Sequence, residues 1–155
     1  MQIASMLHPP GAKVRAGVAV FLCPEGEAAT ELYDRAVGPA LRANKLNRVD
    51  VVRVFDSDSA LVDVTRWVAE AEVILAGLST SNAHLMYVLG LAHGLGRCPL
   101  MLVERSNQLP FNLAGLRHVE YARGHAGLMA LRSDLTRAVR VFLAAARAGA
   151  DPMTS

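Results

Sequence analysis

Three groups of side chains in this 155-residue chain have types and spacing that suit chemistry. The first is Asp56-Ser57-Asp58-Ser59, two carboxylates two positions apart in a polar loop. Carboxylates paired in one crevice can serve as general acid and base when their surroundings drive their pKa values apart. The same four residues also read as a turn and a helix cap. The second group is Ser79-Thr80-Ser81-Asn82 with His84 just beyond it. Hydroxyls and an amide that open a helix sit where backbone N–H groups and the positive dipole end favour anions. That dipole end lowers imidazole basicity, so a neutral His84 can donate one hydrogen bond to a base or a phosphate. A surface histidine beside the cap is the alternative. The third group is Cys23-Pro24-Glu25-Gly26, a turn at the end of an apolar run. Cys23 and Cys98 form neither a CxxC motif nor a zinc-ligand spacing, and reduced, partly buried thiols are expected. Neither a metal nor a cofactor is expected.

The elements that position these groups can be read from periodicity. Val18–Leu22 is an apolar strand, and Glu27–Ala43 a helix with Leu32, Ala36, Ala40 and Ala43 inward and a kink at Pro39. Val49–Val54 has part-alternating polarity, which suits an edge strand. A helix over about Ala60 to Glu70 follows, carrying Asp63 on its surface and Trp67 in its core. Next come the third strand, Val73–Gly77, and the helix within Ser79–Arg97, which Gly94 and Gly96 close. Pro99–Val103 is the fourth strand and His118–Tyr121 a short fifth. The last helix, His125–Ala148, turns Leu128, Leu131, Leu135, Ala138, Val139 and Phe142 to the core.

Strands alternating with helices predict a parallel sheet covered on both faces and wound right-handed. The expected fold is α/β: a flavodoxin-like three-layer sandwich with a five-stranded parallel sheet in the order 2-1-3-4-5. That order makes the second strand an edge and opens a ligand crevice between the ends of strands one and three. The loops Cys23–Gly26, Phe55–Ser59 and Gly77–Asn82 would meet there. One domain is expected, with an arm over 1–14, a core over 15–148 and a tail over 149–155.

Composition narrows the function classes. The chain is 52% hydrophobic, 19% charged and 5% aromatic, with a net charge of +2. Such values fit a packed aliphatic core and not disorder, and leave few rings for stacking single-stranded nucleic acid. Arg132, Arg137, Arg140 and Arg147 fall in one helix and read as a solvated face, so nucleic acid is an unexpected partner. No run is apolar over enough length to span a bilayer, and the leader lacks a signal-peptide layout. A cytoplasmic protein is the expectation.

The chain resembles the nucleoside 2-deoxyribosyltransferase-like superfamily, including small bacterial nucleotide-binding, TIR-like proteins. The resemblance rests on three ordered segments between Val18 and Tyr121: Val20-Phe21-Leu22-Cys23-Pro24-Glu25; Ala76–Arg97; and Leu109-Pro110-Phe111-Asn112-Leu113-Ala114-Gly115. It implies a nucleoside or nucleotide ligand and a homo-oligomer. It implies a sugar contact at Asn82 and places His93 at the family's helix histidine, read here as packing. The family's acidic nucleophile falls on Val88 and its acid at the end of the third strand on Gly77. Cleavage of an N-glycosidic bond builds positive charge on the sugar, which a carboxylate must attack or stabilise. Valine and glycine do neither. The leading expectation is therefore a pseudoenzyme that binds a nucleoside or nucleotide through Cys23, Pro24, Asp56, Asp58, Gly77, Ser79, Ser81, Asn82, Tyr87 and Val88. Tyr87 can stack on a base or belong to the core. Two alternatives stand beside it. One is an active N-glycosidase or deoxyribosyltransferase using Asp56 or Asp58, with His84 a further catalytic candidate. The other is a structural oligomerisation module.

Overall fold

A computed structural model describes residues 11–53, 61–78, 82–107 and 113–149. In chain order they form β1 (Arg15–Cys23), α1 (Glu27–Leu32), a π-helical turn (Tyr33–Val37) and α2 (Gly38–Ala43). β2 (Arg48–Arg53), α3 (Leu61–Glu70), β3 (Ala71–Leu78) and α4 (Ala83–Gly94) follow. The chain then forms β4 (Leu100–Glu104), β5 (His118–Tyr121) and α5 (Gly124–Arg147). The five strands make one sheet in the order β2-β1-β3-β4-β5, and every pairing is parallel. The expected doubly wound α/β sandwich is thus the observed one.

Each face of the sheet carries its own core, as strand alternation requires. On one face Ala19, Phe21, Val73, Leu75 and Leu102 pack under α1, α2 and the long α5, whose Leu131, Leu135 and Val139 are buried. On the other, Val20, Leu22, Ile74, Ala76 and Met101 pack under α3 and α4. β3 is buried along all eight residues, and apart from Glu72 at its amino end it is apolar throughout.

The helix expected over Glu27–Ala43 is continuous but not uniform. Pro39 has no N–H to donate, and its ring crowds the preceding turn. The chain widens by one residue just before it, with the Gly38 N–H donating to Tyr33 O. Tyr33, inside the wide turn, stacks on Phe21 at 5.9 Å between ring centroids.

At the amino end of the sheet, β1 slips register between Arg15 and Ala19. Gly17 sits there at φ +78°, a conformation that glycine adopts without strain. Its N–H is turned out of the ladder and donates to Glu72 Oε2 at 2.7 Å. The other oxygen of Glu72 takes Arg147 Nε at 2.8 Å, which pins the end of α5 to the sheet. Among the described residues no helix is long and apolar enough to cross a membrane.

Candidate functional site

The order 2-1-3-4-5 sends the connections after β1 and β3 to opposite faces, so a crevice opens at their carboxyl ends. Cys23, the last residue of β1, is 1% exposed, and its thiol lies 4.0 Å from Val52 O of β2. Pro24 follows it and is buried. Cys23 also lines a pocket of about 330 Å³ with Thr30, Tyr33, Asp34 and Val51, between α1 and the edge strand.

Across the crevice, Asn82 begins α4. It is 5% exposed, in extended backbone geometry, and its Oδ1 accepts from the N–H groups of His84 (3.0 Å) and Leu85 (3.2 Å). The cap was expected within Ser79–Asn82, and Asn82 supplies it. Two of the helix's free N–H groups are therefore already satisfied internally. The side-chain amide that remains, Asn82 Nδ2, is buried and has no hydrogen-bond partner among the described residues. His84 and Tyr87 project from α4 into solvent, Tyr87 at 57% exposure. A core tyrosine at that helical spacing is excluded. His93 is half-buried near the helix end, and burial lowers its pKa, in keeping with a packing role.

Gly77 and Val88 do not face one another. A Cβ on Gly77 would meet the Phe21 ring at 3.3 Å and Leu32 at 3.4 Å, on the α1/α5 face. Val88 is 5% exposed and belongs to the core between α4 and the opposite face. Acids restored at both positions would be separated by the sheet, and one at 88 would be buried without a partner. Val88 is therefore a packing residue and not a pocket wall open to a ligand. Asp56, Asp58, Ser79 and Ser81, together with Leu109–Asn112 of the third resembling segment, lie outside the described residues.

The carboxyl end of the sheet holds a second group of polar residues that periodicity did not single out. Glu104 is the last residue of β4 and is 5% exposed; its register partner on β5 is Tyr121. Glu104 Oε1 accepts from Ser106 Oγ and meets Arg123 Nε at 2.7 Å. Burial alone would raise the Glu104 pKa. The hydrogen bonds from Ser106 and Arg123, with the Arg123 charge, outweigh that and hold it below the ordinary carboxylate range. Burial and the Glu104 charge push the Tyr121 hydroxyl up, against the pull of Arg123. Both residues line a pocket of about 280 Å³ with Glu27, Glu31 and Leu32 of α1 and Arg123, Gly124 and Leu128 at the start of α5. The signal in the sequence was position: Glu104 follows the apolar run Pro99–Val103 directly, where a parallel strand delivers its functional residues.

The fold and this carboxyl-end site define a flavodoxin-like α/β domain. No family model matches the chain, and no curated protein matches it. Among solved structures it is similar to rubredoxin oxygen:oxidoreductase from the anaerobe Desulfovibrio gigas, with a TM-score of 0.57 and 14% identity. The likeness covers 84% of this chain and 37% of that one, so the chain spans little more than a third of its length. At that identity the likeness shows the shared fold alone.

Proposed function

We propose that the protein is a nucleoside- or nucleotide-binding domain without glycosyl-cleaving activity. The observation that carries this reading is the amide of Asn82. A buried donor without an acceptor is costly, and such groups in native structures are satisfied by water or ligand. This one stands at the carboxyl end of β3, across from Cys23 and Pro24, at the point where an open α/β sheet holds ligands. A ribose hydroxyl, a base carbonyl or a phosphate oxygen supplies the acceptor it lacks. The non-catalytic half of the reading comes from the resemblance alone, whose acidic positions are Gly77 and Val88 here. The resemblance described above adds the homo-oligomer, and a cytoplasmic location is part of the same proposal.

Asn82→Asp tests the reading because it separates the two jobs of the side chain. Aspartate keeps an acceptor for the His84 and Leu85 N–H groups and suits the helix dipole, but it has no amide to donate. A panel of nucleosides, nucleotides and NAD should raise the melting temperature of the native protein and not that of the variant. The ligand-free variant should melt at or above the native temperature. If no member of the panel moves the native protein, the binding reading fails. Release of free base, followed by chromatography over the same panel, would overturn the non-catalytic half.

A further inference from the structure

The nucleoside-or-nucleotide reading, on which the following inference rests, is narrowed by the way α4 uses its first N–H groups. Of the first four, three already have acceptors. The His84 and Leu85 N–H groups donate to Asn82 Oδ1 at 3.0 and 3.2 Å, and the Met86 N–H donates to Asn82 O at 3.0 Å. A helix N-terminus that holds a phosphate does so with these same groups pointed at the ligand. Here they are turned onto the cap. The donor left over is Asn82 Nδ2, one neutral amide on a side chain 5% exposed, without a partner among the described residues.

The charges at this end of the sheet point the same way. A phosphate monoester carries about −1.5 to −2 at pH 7 and three oxygens that need donors. The turn after β1 brings the exposed Glu25, and the first turn of α1 brings Glu27. Residues 54–60, which join β2 to α3, include Asp56 and Asp58 and no lysine or arginine. Ser79, Thr80 and Ser81, which lead into α4, carry no charge. Against these four acids stand Arg53 at the end of β2 and Arg105 just after β4, while Glu104 and Glu31 are paired with Arg123 and Arg35. Acids therefore outnumber bases around the crevice. Beside the end of β3, Asn107 Nδ2 donates to Leu78 O at 3.2 Å, a second neutral amide where a phosphate site would place a cation.

We infer that the crevice selects an uncharged nucleoside over its phosphate esters, and that Asn82 Nδ2 donates to a hydroxyl or carbonyl oxygen of that nucleoside. One neutral donor suits one neutral acceptor. A phosphate would meet N–H groups already used by the cap and an excess of like charge. The nucleoside carries no charge for the acids to repel, so the penalty falls on the phosphate ester alone. Discrimination of this kind comes from a repulsive element as well as from an attractive one.

The test is isothermal titration calorimetry of the full chain with adenosine, guanosine, cytidine, uridine and thymidine, and with the monophosphate of each. The nucleoside that binds should do so about tenfold or more tighter than its own monophosphate at low salt. The gap should narrow as salt is added, because screening weakens the repulsion. Glu25→Lys changes an exposed turn residue, and it should tighten the monophosphate by about threefold while leaving the nucleoside affinity unchanged. A monophosphate that binds as tightly as its nucleoside, or more tightly, would overturn this inference and leave the broader binding reading standing. Binding by neither series would overturn both. Equal tightening of nucleoside and monophosphate by Glu25→Lys would also overturn the inference, since charge would then not be what discriminates.

Discussion

Glu72 and Glu104 are buried to nearly the same degree, 8% and 5% exposed, at opposite ends of the same sheet. Each faces one largely exposed arginine, and each is held below its ordinary pKa by hydrogen bonds that outweigh burial. Their surroundings differ in one respect. At the amino end both oxygens of Glu72 are used, one by Gly17 N–H and one by Arg147. At the carboxyl end Glu104 Oε1 takes both Ser106 and Arg123, and the side chain lines a pocket. The first carboxylate ties a strand to the end of a helix, and the second borders open space. The contrast matches the general behaviour of parallel sheets, whose carboxyl ends carry function while their amino ends carry stability.

The largest effect should come from unmaking the closed end. Glu72→Ala takes from the Gly17 N–H its acceptor in the register slip, and it releases the end of α5. A loss of about 3 kcal/mol is expected in urea unfolding, with the nucleotide response retained in the folded fraction. A loss no larger than an ordinary surface substitution would mean that water replaces the carboxylate there, and the contrast between the two ends would dissolve.

A smaller effect is expected where the open end is roofed. A Cβ at Gly127 would fall 2.0 Å from the Ala122 carbonyl oxygen, which the loop folds over the first turn of α5. Gly127→Ala must therefore displace the Ala122–Arg123 segment, at a cost of about 2 kcal/mol. Because Arg123 moves with it, the Glu104 titration should shift too, whereas Gly90→Ala, with open space around its Cβ, should do neither. Equal behaviour of the two variants in urea unfolding and in the Glu104 titration would refute this account of the roof.

How much of this was legible in the sequence follows the same division. The fold was, because β3 is apolar from Val73 to Leu78 and β2 alternates, and those two facts place one strand in the centre and the other at the edge. The cap at Asn82 was legible from residue type, as was the close of α4, where Gly96 takes φ +70°. Tyr87 was not: helical spacing cannot tell the outer face from the inner one on a helix as uniformly apolar as α4. The opposite placement of Gly77 and Val88 was also hidden, since matching residues along a sequence ignores which face of a sheet each one meets. Glu104, Tyr121 and Arg123 come together through strand register and the entry into α5, and neither leaves a periodic trace. Glu72 and Gly17 meet across 55 positions because a bulge turns one N–H aside.

The smallest change in stability, and the most direct reading of the open end, should come from Arg123→Ala. The Arg123 side chain is 73% exposed, so little packing is lost. The consequence lies in the Glu104 titration. In the native protein the folded pKa of Glu104 is below the unfolded value, for which 4.5 is the reference. Its ionisation therefore adds stability that is complete above about pH 4.5 and is lost as pH falls through the lower, folded value. Without Arg123, burial remains and only the Ser106 hydrogen bond opposes it, so the folded pKa must rise. The stabilising contribution then shrinks, and it reverses sign once the folded pKa passes the unfolded one. Following the Glu104 carboxyl carbon by NMR from pH 2.5 to 7, together with urea unfolding at each end of that range, reads both quantities. Expected are an upward pKa shift and a flatter acid limb of the stability curve. The same titration of Glu72 should stay where it was. If instead the Glu104 titration is unmoved, Ser106 alone sets its charge, and the arginine belongs to the surface and not to the site.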